Sequence, residues 1–168
     1  PEFNVKVGGK NVCLAPTSGP PNIMDIHHGR RAGTFEDFCN LMKLSQSFDV
    51  IHTLGGAVEP QDVPVHLRHY ETTRSMLLLS GKTPFIFSRG SQQIADCFEL
   101  IRIAHRVSVD ECKQRPYVWT VINTNSPLQL DIPMTEAVVE LAGSGQACCI
   151  TPFTLAGSMS PVTIAGTA

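Results

Sequence analysis

The sequence predicts an α/β fold built as part of a (β/α)8 TIM barrel, with about five β/α units behind a short N-terminal hairpin. Five short apolar runs alternate with amphipathic helical patterns along the 168 residues. The runs centre near Cys13, Ile51, Ile86, Trp119 and Cys149. About 30 to 38 residues separate neighbouring centres, which is the size of one β/α unit. At that spacing eight units need about 250 residues, the usual length of such a barrel.

The five apolar runs are the predicted strands. They cover residues 11–17, 49–54, 84–88, 117–123 and 147–153. Each is nearly continuous in apolar character rather than alternating, which is typical of parallel strands covered on both faces. Ahead of the first strand, the residues from Phe3 to Cys13 predict a hairpin that turns at Gly8-Gly9.

Four helices are predicted between the strands. Thr34-Phe-Glu-Asp37 has the form of a capping box, and the apolar residues that follow it recur at helical spacing. Ser91 is the predicted cap of a second helix, and Asp131 starts another with Pro133 in its first turn. Residues 62–80 are predicted to form a longer helix that is polar first and then strongly apolar.

An open doubly wound sheet fits the same succession of elements. No G-x-G-x-x-G follows any predicted strand, and this removes the best reason to prefer the nucleotide-binding alternative. The barrel is therefore the favoured architecture. Residues 1–168 are predicted to be a single incomplete domain, the central segment of a larger barrel, because Pro161 suits the first turn of a helix and the sequence stops there.

Composition excludes several functions. The net charge of -2 and the pI near 6.3 give no electrostatic footprint for nucleic acid or an anionic membrane. No apolar run approaches the roughly 18 residues of a membrane span, and no signal segment opens the sequence. The six cysteines show no C-x-x-C spacing, which favours reduced, structural thiols in a cytoplasmic protein.

The site of a β/α barrel lies at the C-terminal ends of its strands. Most residues at these strand ends are ones that turns require. Turn formation does not account as well for Glu59, Arg89, Asn123, Asn125 and Phe153, so these are the candidate site residues, with Thr151 beside them. Asparagine amides suit the fixing of a small substrate, but they also satisfy local turns.

The charged and aromatic candidates have structural alternatives too. Glu59 either faces a cationic substrate or caps a helix entry. Arg89 either binds an anion or pairs across the barrel rim. Phe153 either offers a π face to an alkylammonium group or is ordinary core.

Metal and Schiff-base chemistry are not favoured. His66 and His69 have i, i+3 spacing on a helix, and His27-His28 lie in a loop, but neither pair is joined by a third ligand at a strand end. No lysine ends a strand, since Lys82 precedes one. We therefore expect no bound metal, and no complete catalytic constellation in this segment.

Five motifs resemble the trimethylamine methyltransferase family and occur in its order along most of the chain. They are Thr17-Ser-Gly-Pro-Pro, Arg31-Ala-Gly-Thr-Phe-Glu-Asp-Phe38, Val58-Glu-Pro-Gln-Asp-Val-Pro64, Ile122-Asn-Thr-Asn-Ser-Pro-Leu128 and the run from Thr151 to Gly166. The last two are the most specific. The resemblance implies a β/α barrel of nearly three times this length, in agreement with the spacing argument.

The resemblance also implies the reaction. The family moves a methyl group from a methylated amine to the Co(I) corrinoid carried by a separate partner protein, so no cofactor is expected on this chain itself. Some members use pyrrolysine and trimethylamine, while others lack it and use quaternary amines such as glycine betaine. Trimethylamine is the expected donor. The alternatives are glycine betaine or another quaternary amine, or a non-catalytic barrel segment, because the pyrrolysine position that distinguishes them lies beyond Ala168. The catalytic residues are expected beyond Ala168 as well. The full-length protein is expected to be a homo-oligomer, and the segment alone to be inactive.

Overall fold

The computed structural model describes residues 5–125, 129–152 and 154–167, and its mixed α/β fold confirms the predicted class. An antiparallel sheet pairs β1 (Asn22–Asp25) with β2 (Gly29–Ala32), and a parallel sheet pairs β3 (Trp119–Thr124) with β4 (Ala147–Pro152). The helices are α1 (Phe35–Ser47), α2 (Arg68–Leu79), α3 (Ser91–His105), α4 (Val109–Gln114), α5 (Ile132–Gly143) and α6 (Ile164–Thr167).

Backbone hydrogen bonds join five extended segments side by side in chain order. The carbonyl of Leu14 accepts from the N–H of His52, and that of Thr83 accepts from Leu54, each at 2.9 Å. Parallel bridges then link Thr53 to Thr83 and Phe85 to Trp119, and β3 pairs with β4. Chain-order pairing of this kind requires a helical crossover between neighbours. The described residues form an open array and no closed barrel.

Three of the five predicted strands are not regular strands in the structure. The runs at 11–17, 49–54 and 84–88 are extended segments held by isolated bridges and single hydrogen bonds, not assigned strands. Pro16 and Pro84 lie in two of these runs, and proline has no N–H to give to a ladder. The predictions at 117–123 and 147–153 correspond to β3 and β4 within two residues, although Phe153 lies outside the described residues.

The predicted helices are present, with corrected starts. Thr34 and Asp37 form the capping box of α1, and Asp131 caps α5 through the N–H of Met134. Ser91 is the first residue of α3 and not its cap, since that position is Gly90 with φ 106°. The helix predicted from residue 62 begins at Arg68, and α6 begins at Ile164, three residues after Pro161. The short helix α4 was not predicted.

Two elements near the N-terminus complete the fold. The predicted turn at Gly8-Gly9 forms, with one antiparallel bridge from Gly8 to Asn11 and no assigned strands beside it in the described residues. The β1–β2 hairpin was not predicted. Asp25 closes its turn by accepting the N–H groups of His27 and His28, which places both histidines in a loop as the sequence indicated.

Alternate residues of the parallel array face two separate cores. Ile86, Val118 and Ile122 pack against α3 and α5. Phe85, Phe87, Trp119 and Val121 belong to the other core, which also includes residues of α1 and α2. Because strand side chains alternate, Asn123 continues the face of Trp119 and Val121. Across the described ranges, none of the helices has both the length and the apolar character needed to span a bilayer.

Candidate functional site

The pairing of the parallel segments brings four predicted site residues to one edge of the array. Glu59 and Arg89 stand six residues beyond the bridged pair Thr53–Thr83. Arg89 and Asn123 stand four residues beyond the bridged pair Phe85–Trp119, and Asn123 is paired directly with Thr151. The carboxyl ends of parallel segments share one edge. Glu59, Arg89, Asn123 and Thr151 therefore form a row along that edge.

Glu59 and Arg89 are in direct contact. Arg89 Nη1 donates to Glu59 Oε1 at 2.7 Å, and Nη2 donates to Oε2 at 2.9 Å. Arg68, in the first turn of α2, adds a third bond from Nη1 to Oε1 at 3.1 Å. The Glu59 side chain is 10% exposed and the Arg89 side chain 46% exposed. This Glu59–Arg68–Arg89 cluster is a buried carboxylate held by two guanidinium groups, one of which reaches the surface.

The two arginines keep Glu59 ionised. Burial pushes the pKa of Glu59 upward, but hydrogen bonds from Arg89 and then Arg68 outweigh that effect and hold the pKa below its ordinary 4.5. Glu59 is therefore an anion at neutral pH with both oxygens occupied. It makes no capping contact with α2, whose N-cap is Leu67. A carboxylate held in this way is not poised to donate a proton.

The segment that carries Glu59 is packed closely against its neighbours. A Cβ on Gly55 would lie 2.2 Å from the carbonyl oxygen of Pro16, and one on Gly56 would lie 3.0 Å from the Phe87 ring. Ala57 has φ 45° and gives its N–H to Thr17 at 2.8 Å, and Glu59 gives its own to Pro20 at 2.9 Å. These contacts fix the height and direction of the carboxylate.

Aromatic rings lie beside the cluster. Phe87 meets Phe85 edge to face at 5.3 Å, and Phe85 meets Trp119 at 5.4 Å. The guanidinium carbon of Arg89 lies 5.8 Å from the centre of the Phe87 ring. The edge that presents Arg89 thus has an aromatic wall immediately behind it.

The other predicted residues lie further along the same edge. Asn123 is exposed at the end of β3, and Thr151 is partly exposed at the paired position of β4. Asn125 is exposed, and its backbone pairs with Gln129 at 2.6 and 3.0 Å, across a loop whose residues 126–128 lie outside the described ranges. Phe153 lies outside them too. Their part in substrate binding stays a prediction.

Arg68 and Phe87 are site residues that the sequence did not reveal. The helix that carries Arg68 was predicted to begin six residues too early, and nine residues separate Arg68 from Glu59 with no repeating pattern. Phe87 could have been found from strand alternation, because it lies two residues before Arg89 and therefore on the same face.

A cavity of the described structure lies away from this edge. It measures about 570 Å³ and is lined by Gln46, Lys82, Pro84 and His105, among others. Lys82 and Pro84 precede the segment that ends at Arg89, so this cavity opens at the opposite, N-terminal end of the array. Within the described residues, no group of three or more histidine, cysteine or acidic side chains is placed to hold a metal ion.

Parallel segments in chain order, with ionic side chains at their carboxyl ends, define an α/β protein of the kind that carries enzyme sites at that edge. The whole chain, residues 1–168, matches the family described as Trimethylamine methyltransferase (MTTB), and the protein belongs to that family. The family resemblance seen in the sequence motifs is thereby confirmed.

Two relatives of this chain are methyltransferases named for different substrates. A glycine betaine methyltransferase of Desulfitobacterium hafniense strain Y51 is 34% identical over 168 residues, which are 99% of this chain and 35% of that protein. A trimethylamine methyltransferase MttB of Desulfitobacterium hafniense strain DSM 10664 / DCB-2 is 24% identical over 170 residues, or 99% of this chain and 34% of that protein. The chain spans about a third of the length of these relatives.

Proposed function

We propose that the protein containing this chain transfers a methyl group from a quaternary methylammonium compound of the glycine betaine class to the reduced corrinoid of a partner protein. The observation that carries the proposal is the family match over residues 1–168 together with the 34% identity to a glycine betaine methyltransferase. Trimethylamine is the second candidate donor, supported by the family's description and by the 24% identical relative.

The chemistry of the donor separates the two candidates. In the transfer the C–N bond breaks, its electron pair stays on nitrogen, and the methyl group bonds to the acceptor. A quaternary nitrogen leaves as a neutral tertiary amine, whereas neutral trimethylamine needs prior activation because an amide anion is a poor leaving group. For a quaternary donor, the protein therefore has to bind and orient the donor and exclude water, and it does not have to activate the nitrogen.

The architecture proposed for the complete protein is a (β/α)8 barrel in which residues 1–168 supply about five units. The five segments paired in chain order support it. In that barrel the edge that carries Glu59, Arg89, Asn123 and Thr151 would face the corrinoid of the partner. The reduced corrinoid would supply the methyl acceptor, and this chain would hold the donor. The proposal includes a cytoplasmic location and a homo-oligomeric state for the complete protein.

The test uses the complete protein with a reduced corrinoid protein as acceptor and glycine betaine, tetramethylammonium or trimethylamine as donor. Formation of the methyl-corrinoid is followed by absorbance, and the demethylated amine by mass spectrometry. We expect transfer from glycine betaine with dimethylglycine as product. Transfer from trimethylamine alone would favour the second candidate. No transfer from any methylated amine would overturn the proposal and favour a non-catalytic barrel.

A further inference from the structure

We propose that Arg89 binds the carboxylate of the methyl donor, so that the site selects zwitterionic, carboxylate-bearing methylammonium compounds over simple cations. The inference rests on the proposed function and names the part of the substrate that this chain recognises. It comes from the charge balance and the unused donors of the Glu59–Arg68–Arg89 cluster.

The Glu59–Arg68–Arg89 cluster has one positive charge that no carboxylate within it neutralises. Two guanidinium groups face a single carboxylate, and both oxygens of that carboxylate are occupied. Arg68 is largely enclosed, because its Nε also donates to the carbonyl of Val63 at 2.8 Å and its side chain is only 15% exposed. The excess charge is therefore presented to solvent by Arg89.

Arg89 has a second edge available for an anion. A guanidinium group offers five N–H donors, and Glu59 takes one from each terminal nitrogen. The Nε–H and the adjacent outer N–H form a second fork, and no residue in the described ranges accepts from Nε. A fork of this shape matches the two oxygens of a carboxylate. Glu59 meanwhile holds the guanidinium in place, so little side-chain freedom is lost when a ligand binds.

The surroundings suit the other end of a zwitterion. A carboxylate bound to Arg89 would bring its attached ammonium group near the partly exposed ring of Phe87, over which the guanidinium carbon lies at 5.8 Å from the centre. Alkylammonium groups are attracted to aromatic faces. A cation with no carboxylate meets the same ring beside an unneutralised positive charge and is repelled. The cluster thus favours betaines over tetramethylammonium or choline.

One acid stands near the cluster without neutralising it. Glu136 Oε2 comes 3.7 Å from the position that a Cβ on Gly90 would take. Glu136 is exposed and makes no ion pair with Arg89 in the described part of the chain. Its charge is screened by solvent, whereas the carboxylate of a ligand would be in direct contact.

Calorimetric binding of glycine betaine and of tetramethylammonium to the complete protein tests the inference without a methyl acceptor. We expect Arg89→Gln to weaken glycine betaine binding by about 10- to 100-fold, the effect of one charge-assisted carboxylate contact. Tetramethylammonium binding should stay the same or improve. Arg89→Lys keeps the charge beside Glu59 but lacks the fork, so it should show a smaller loss. Arg74→Gln, which removes an exposed arginine of α2, is the matched control and should change neither.

The outcomes separate this inference from the proposed function. Arg89→Gln that binds glycine betaine within about twofold of the unmodified protein overturns the inference. So does an equal loss for both ligands with a lowered Tm in both Arg89 variants, which would assign Arg89 a purely structural role. An unmodified protein that demethylates tetramethylammonium or trimethylamine and does not bind glycine betaine overturns the inference while methyl transfer stands. One that binds glycine betaine through Arg89 but transfers no methyl group leaves this inference standing and overturns the proposed function.

Discussion

Arg31 on β2 binds the carboxylate of Asp37, the residue that closes the capping box of α1. Its Nη1 and Nη2 donate to the two oxygens of Asp37 at 2.5 and 2.8 Å, and its Nε donates to Asp25 at 3.0 Å. Asp37 also accepts the N–H and the hydroxyl of Thr34. A single guanidinium thus ties the β1–β2 hairpin to the start of α1.

Asp37→Asn should destabilise the fold by about 1 to 2 kcal/mol, because the capping box and the Arg31 ion pair lose the same charge. Glu36→Gln removes a neighbouring exposed carboxylate from the same turn and should cost only a few tenths of a kcal/mol. Thermal unfolding of the complete protein measures both. Equal shifts in Tm would contradict the role assigned to Asp37.

The same network predicts acid sensitivity of the hairpin. The N–H of His28, and then those of His27 and the Arg31 side chain, lower the pKa of Asp25 from its ordinary 3.8 to about 2 despite some desolvation. The Arg31 guanidinium lowers the pKa of Asp37 as well. A carboxylate with a lowered pKa contributes stability above its unfolded pKa and loses it as pH falls through the folded value.

We therefore expect the hairpin to loosen between pH about 4 and 2. Protease cleavage after Arg30 or hydrogen exchange of β1 and β2 reports this loosening. Asp25→Asn should lower the hydrogen-exchange protection of β1 and β2 at neutral pH to the level that the unmodified protein shows in acid. Hydrogen-exchange protection of the hairpin that stays constant from pH 5 to pH 2 would contradict the role assigned to Asp25 and Asp37.

The sequence located the strand-end residues but not the bonds among them. Glu59 and Arg89 follow predicted strands, and parallel pairing in chain order is enough to bring such residues to one edge. Their ion pair depends on the register set by Thr53–Thr83, and a register is not encoded in apolar runs that lack alternation. The third member, Arg68, comes from a helix whose start was misplaced. The proline-rich residues 60–64 delay that helix until Arg68.

The strand predictions erred where prolines and side-chain bonds replace the ladder. Lone hydrogen bonds join Leu14 to the second segment. The Trp119 indole donates to the carbonyl of Leu54 at 2.8 Å, and the Thr120 hydroxyl to that of Ile86 at 2.6 Å. These bonds satisfy carbonyls that a regular ladder would have paired. Apolar character predicted the burial of Leu54, Ile86 and Ile122 correctly, but Val12, Val50 and Ile150 in the other segments are exposed. It also carries no information on which backbone groups are paired by side chains.

Gly55→Ala should separate the first two parallel segments, because the new methyl group would collide with the backbone oxygen of Pro16. Backbone atoms cannot swing aside as a side chain can, so we expect a loss of about 3 kcal/mol or more. Displacement of Glu59 should also lower the methyl transfer proposed for the complete protein.

Gly143→Ala is the matched control for Gly55→Ala. A Cβ there meets nothing within 4 Å at the end of α5, and the exchange should be neutral or stabilise by up to about 1 kcal/mol. Chemical unfolding followed by circular dichroism compares the two alanine variants. A Gly55→Ala protein as stable as Gly143→Ala would contradict the close approach of the segments.

Lys82→Met should destabilise the end of α1. The Lys82 ammonium is buried and donates to the carbonyl oxygens of Ser45 and Phe48, both at 2.7 Å. Methionine fills similar space but leaves both acceptors unpaired, at a cost of about 2 kcal/mol. Lys43→Met changes an exposed lysine of the same helix and should cost little. Hydrogen exchange in α1 distinguishes the two, and equal protection in both variants would contradict the capping role of Lys82.

Residues 1–168 expressed alone should associate rather than remain monomeric. Strand β4 pairs with β3 on one side, and no described residue pairs with its other edge. Apolar side chains of β4 and of the helices α5 and α6 are exposed, among them Ile132, Val139, Ile150 and Ile164. An unpaired edge beside exposed apolar surface recruits other chains. Sedimentation velocity should show oligomers that diminish when Ile150→Lys places a charge on the edge strand. Val7→Lys changes an exposed valine near the N-terminus and should leave the oligomers unaltered. A cooperative monomer would count against the proposal that this segment is part of a barrel.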